Sequence, residues 1–145
     1  MISQELMLGD WVMLYPDLKG FYPFAGKPCR VIGLNDDDGA IKIEYDDGKY
    51  FWTDAEDDVV AIPLTPEILE KNGFEGKGYM LLKIDSNSWL EYYNYEHRLK
   101  KFWRGVDEWQ NHSQVKDVTF QCRCYYVHEL QHALQLCGID KTIEL

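Results

Sequence analysis

The chain reads as an α+β protein dominated by β-structure: a small SH3-like barrel, then an antiparallel sheet packed with one C-terminal helix. Three observations predict this. Short period-2 segments divided by Asp-Gly turns fill the first 63 residues. A helix cassette marked at both ends follows. Longer alternating segments then run almost directly into a single amphipathic helix. The expected organisation is residues 1–63 as the barrel, 64–76 as a linking helix, and 77–145 as the sheet with its helix.

Within the barrel, Leu8-Gly9-Asp10 leads into a strand at Trp11–Tyr15, and a loop rich in Pro, Gly and aromatic residues runs from Pro16 to Pro28. Strands are expected at Cys29–Leu34, Ala40–Tyr45, Tyr50–Trp52 and Val59–Ile62. In the second of these, Ile41, Ile43 and Tyr45 alternate with Lys42 and Glu44, which predicts one buried and one wet face. Five such strands closing on themselves make a small barrel. Thr65 is a helix cap, Pro66 fits the first turn, Glu67 favours the positive end, and Asn72-Gly73 stops the helix in a left-handed turn. Further strands are expected at Tyr79–Ile84, Trp89–Tyr93 and Arg98–Trp103. A polar stretch from Arg104 to Gln114 follows, then a last strand from Val115 to Tyr126 whose Val118, Phe120, Cys122, Cys124 and Tyr126 face one way. The closing helix spans Val127–Cys137 and ends at Gly138; Ile143–Leu145 reads as a short terminal strand.

Composition narrows the function classes. The 145 residues suffice for a real core, and 21 of them are Phe, Trp or Tyr, which argues for a folded protein. No run approaches the roughly 20 apolar residues of a membrane span, and Met1–Glu5 lacks the pattern of a signal peptide. The four cysteines form no C-x-x-C pair, and the expectation is a cytoplasmic protein with reduced thiols. Net charge is −10; residues 1–65 hold 13 acidic and 5 basic side chains, net −8. Nucleic acid is therefore a poor partner, because backbone binding needs clustered Lys and Arg. The cluster Arg98, Lys100, Lys101 and Arg104 reads as the wet side of a strand, and the aspartate runs at 36–38, 46–47 and 54–58 as solvated loop tips.

His128-Glu129-Leu130-Gln131-His132 fits the H-E-x-x-H pattern of zinc peptidases. In that pattern His128 and His132 ligate the metal and Glu129 takes a proton from metal-bound water. A catalytic zinc usually has a third protein ligand. Gln135 and Gly138 stand where a metzincin has Gly and His, and only 13 residues follow His132. An upstream ligand, His97 or His112, matches no pattern. The same segment makes a plain amphipathic helix: Tyr126 or Val127, Leu130, Ala133 or Leu134, and Cys137 form a buried stripe, with His128, Gln131, His132 and Gln135 on the polar side. No cofactor is expected; zinc, held by His128 and His132 with Glu129 as base in a hydrolase, is the alternative.

Two segments, Ile62-Pro63-Leu64-Thr65-Pro66-Glu67-Ile68-Leu69-Glu70-Lys71-Asn72-Gly73-Phe74 and Tyr126-Val127-His128-Glu129-Leu130-Gln131-His132, give the chain a resemblance over nearly its whole length. It is similar to small uncharacterised proteins of Bacteroidetes genomes, prophages and mobile elements. In similar proteins the last helix reads Y-V-H-x-L-Q-N, with Gln and Asn where Glu129 and His132 stand here. That implies a docking helix, and an accessory or host-interaction role inside a bacterial cell. The leading expectation is a binding or adaptor module for a protein partner. Its contact surface is placed on the long loop at Phe21, Tyr22 and Phe24, since long ordered loops are often functional.

Overall fold

The computed structural model describes residues 5–35, 37–46, 48–107 and 112–145, with backbone alone at 105–107 and 112–117. The chain is mainly β, built from two antiparallel sheets and two short helices. Contacts divide it into two compact units. One holds the residues up to Pro63 together with Tyr126–His128; the other holds Leu64–Tyr125 and Glu129–Leu145.

In the first unit, β1 (Trp11–Leu14), β2 (Cys29–Leu34), β3 (Ala40–Asp46), β4 (Lys49–Asp54) and β5 (Val59–Ala61) form one sheet in the order β4-β3-β2-β1-β5. Every neighbouring pair is antiparallel. Alternate residues Val12, Leu14, Val31, Ile41 and Ile43 are fully buried with Val59 and Ala55 in one core. The expected closed barrel is not found: among the described residues β4 and β5 stand at opposite ends of the sheet and do not pair. Instead, Thr53 Oγ1 donates to Asp58 Oδ2 and Asp58 N–H to Asp54 O, which folds the β4–β5 connection on itself. A second departure lies in β3. The register slips between Glu44 and Asp46, so Tyr45 is the extra residue of a bulge and only half-buried, although strict alternation places it with Ile41 and Ile43. Backbone from the end of the chain joins this unit, where Val127 N–H donates to Ile62 O at 2.9 Å.

The second unit opens with α1 (Pro66–Lys71), capped as the sequence predicts: Thr65 Oγ1 accepts from Ile68 N–H at 3.3 Å. Asn72 ends the helix and is itself buried. Its amide donates to Ile68 O and Glu144 O and accepts from Glu144 N–H, which pins the C-terminal segment. That segment buries Ile143 but forms no strand, contrary to expectation, because Asn72 engages its backbone from both sides. β6 (Tyr79–Lys83), β7 (Ser88–Tyr93), β8 (Arg98–Asp107) and β9 (His112–Arg123) follow as a meander. β8 and β9 pair for their full length and extend into the stretch read as irregular. β9 ends at Arg123, short of the expected Tyr126. Val118 is exposed because the bulge at Lys101/Phe102 breaks the period-2 register between it and Phe120, and Tyr126 is exposed because it lies past the end of the strand. Met80, Leu90, Tyr92 and Leu99 line the sheet's buried face. α2 (Val127–Leu136) buries Val127, Leu130, Ala133 and Leu134, the expected stripe.

Candidate aromatic binding loop

The connection from β1 to β2 is ordered by its own hydrogen bonds. Pro16–Gly20 form one 3-10 turn that Pro16 starts. Phe21 and Tyr22 N–H both donate to Leu18 O, Ala25 N–H to Tyr22 O, and Gly26 N–H back to Leu14 O. Gly26 adopts φ +81 beside the Pro16 ring, a backbone conformation in which any side chain would be strained. The loop is thereby closed at its base, which fixes where its aromatic side chains point.

Those side chains divide the work. Phe24 lies flat on Tyr45, centroids 3.9 Å apart, and meets Phe51 edge-on at 5.3 Å. Tyr22 stacks on Phe51 at 5.3 Å and lies 5.7 Å from Phe24. Phe21 joins none of these rings and stands 82% exposed, with Tyr22 39% exposed. So of the three expected contact residues the fold brings Tyr22 and Phe24 together and leaves Phe21 in solvent. Two members of the cluster, Tyr45 and Phe51, escape sequence reasoning; Tyr45 turns toward the loop through the β3 bulge, which alternation cannot reveal. Beyond Tyr45 a cleft of about 260 Å³ is lined by Trp11, Pro28, Arg30, Glu44 and Asp46, with the Arg30 guanidinium 4.5 Å above the Trp11 ring. Arg30 offsets one of the two carboxylates there and Lys49 Nζ lies 3.8 Å from Asp46 Oδ2, so the cleft is a mixed-charge surface flanked by rings.

The H-E-x-x-H residues are placed differently from expectation. His128 is buried, 5% exposed, at the second position of α2, and its ring lies nearly parallel to Tyr126, 5.9 Å away. It therefore leaves the polar face assigned to it, because the first turn of α2 sits where the chain enters the first unit. His132 is half-buried one turn later. Glu129 Oε1 accepts from Tyr125 N–H at 3.0 Å, the reach-back of a third-position glutamate that satisfies an orphan donor at a helix start. His97 lies in the β7–β8 turn at φ +51, stacked on Tyr125 at 4.7 Å. The side chain of His112 lies outside the described residues. Among the described residues no group of three or more His, Cys, Asp or Glu is arranged to hold a metal ion.

The outer face of the second sheet carries a further surface that the sequence presents only as a basic cluster. Glu91, 7% exposed, accepts from Tyr93 Oη at 2.6 Å and Trp89 Nε1 at 3.3 Å. Lys100 sits 5.0 Å over Tyr93 and Arg104 5.2 Å over Trp89, while Trp89 also stacks on Phe102. These two cations cover aromatic rings of their own sheet. Burial, then the hydrogen bond to Glu91, pushes the Tyr93 phenol up to about 12.

No family model, curated protein or solved structure matches the chain.

Proposed function

We propose that the chain is a non-enzymatic binding module whose first unit, SH3-like in its strand order, captures an extended segment of a protein partner on the loop between β1 and β2. The observation that carries this is Phe21, a large apolar ring left in solvent at the tip of a closed, hydrogen-bonded loop, beside Tyr22 and the Phe24–Tyr45–Phe51 stack. Solvated rings held on rigid backbone lose little entropy on docking and supply interface anchors. The partner segment is basic and contains proline or aromatic residues, because residues 1–65 carry net −8 and the loop offers aromatic rings. A long ordered loop after the first strand and the order β4-β3-β2-β1-β5 support the SH3-like reading. The resemblance to prophage and mobile-element proteins supports an accessory role in the bacterial cytoplasm. No helix among the described residues is long and apolar enough to cross a membrane.

A displayed library of random peptides selected on the intact chain tests the proposal. Recovered peptides are expected to be enriched in Arg or Lys flanked by Pro or aromatic residues. Their affinity should fall about thirtyfold in Phe21→Ala, the equivalent of ~2 kcal/mol for one anchor ring. Peptides that bind a Phe21→Ala/Tyr22→Ala double variant as tightly as the native chain would place the site elsewhere.

A further inference from the structure

The last strand of the second unit ends at Cys122-Arg123, and Cys124 follows directly. Residues two apart in a strand share a face, and here the two sulfur atoms lie 3.6 Å apart. Their surroundings differ. Cys122 pairs with Leu99 and is half-buried. Cys124 is fully buried; its N–H donates to His97 O at 2.7 Å and its carbonyl accepts the Tyr92 hydroxyl at 2.6 Å. One thiol is thus reachable and the other waits beneath it.

We propose that Cys122 and Cys124 form a thiol–disulfide exchange site that takes a low-molecular-weight disulfide, of the glutathione disulfide class, and closes to an intramolecular disulfide. The Cys122 thiolate attacks one sulfur of the small disulfide. A Cys122–glutathione bond forms, the original S–S bond breaks, and one glutathione thiolate leaves and takes up a proton. Cys124 then loses its proton, its sulfur attacks Cys122 Sγ, and the second glutathione departs as thiol. Two protein thiols are oxidised and one small disulfide is reduced to two thiols, so electrons and protons balance. The contact between the sulfurs favours this order. The hydrogen bond from Cys124 holds the Cys122 thiol below its ordinary range against the opposing effect of burial, while that contact and burial push Cys124 up. Forming the ~2.05 Å bond requires side-chain rotation and a small shift of backbone just past the last ladder pair, Arg98 with Arg123. The other two thiols are poorer nucleophiles: burial raises Cys137, and it pushes Cys29, in the first unit, to about 11.

The test equilibrates the intact chain with glutathione buffers of rising disulfide fraction, blocks free thiols by alkylation, and maps the products by mass after cleavage at Lys and Arg. Because Arg123 separates the two cysteines, the cross-link would hold fragment 117–123 to fragment 124–141 with loss of two hydrogen atoms. Cys137→Ser is expected to leave the cross-link intact, since Cys137 also lies in 124–141. Cys124→Ser is expected to stop at one glutathione on Cys122. Absence of the joined fragments from the native chain at every ratio would overturn the proposal without any variant having to fold. So would a cross-link that disappears in Cys137→Ser.

Discussion

Phe21 and Phe24 are three residues apart in one loop and have opposite duties. Phe24 packs against the first core through Tyr45 and Phe51, whereas Phe21 touches water over most of its surface. Phe24→Ala should therefore cost about 2–3 kcal/mol in urea denaturation, less than a fully buried Phe because the ring is only partly enclosed. Phe21→Ala should leave the unfolding midpoint within error while weakening peptide binding. Tyr92 gives a third expectation. Its buried hydroxyl donates to Cys124 O, so Tyr92→Phe leaves a buried carbonyl short of a partner and should cost about 1–3 kcal/mol. Tyr93 adds a pH dependence. Its phenol is raised in the folded chain, so above an unfolded value near 10 the unfolded state binds fewer protons and folding stability falls. The contribution is complete below about pH 10 and is lost as pH rises through about 12; Tyr93→Phe should flatten that limb of the stability profile. For His128 and His132, protein purified without chelator or tag metal should hold zinc well below one equivalent, since among the described residues no group of three or more His, Cys, Asp or Glu is arranged to hold a metal ion. One equivalent of zinc lost in His128→Ala would restore the peptidase reading.

Elements were the most readable level. α1 appears where Thr65, Pro66 and Asn72-Gly73 put it, because capping chemistry is local and its residues are specific to it. Thr65→Ala should cost about 1 kcal/mol. The strands of both sheets also match their period-2 segments, since one wet and one dry face leaves a plain mark. What stays hidden is where register breaks. Nothing in Glu44-Tyr45-Asp46 announces a bulge, so a half-buried ring was read as core. The polar run after Trp103 conceals the long β8–β9 ladder because a two-stranded extension needs no apolar face. Gly76 shows how tightly such joints are built. At φ +129 its missing Cβ would lie 2.5 Å from Tyr79 O, so Gly76→Ala should destabilise the second unit well beyond Gly138→Ala, whose position is open. We expect roughly 1–3 kcal/mol for the first and about 1 kcal/mol for the second, read as shifts in melting temperature.

For the molecule as a whole, charge and connectivity matter more than any one contact. The acidic excess of residues 1–65 should make basic-peptide binding salt-sensitive, with affinity falling toward 1 M salt, where the Debye length is roughly 3 Å. An affinity unchanged by salt would point to the aromatic rings alone. Barrel closure was misread because it depends on pairing between β4 and β5, which face patterns do not encode; the β1–β5 pairing, far more distant in sequence, does form. The face of His128 was misread for a similar reason, since a helical wheel cannot say that the first residues of the helix group with a different unit from the rest. That shared ownership bears on how the protein is made. The segment Tyr126–His128 groups with the residues up to Pro63, so a ribosome must deliver the whole of 64–125 before Ile62 O, just past β5, receives the Val127 N–H. A stop codon placed between the two would leave Ile62 O without that partner.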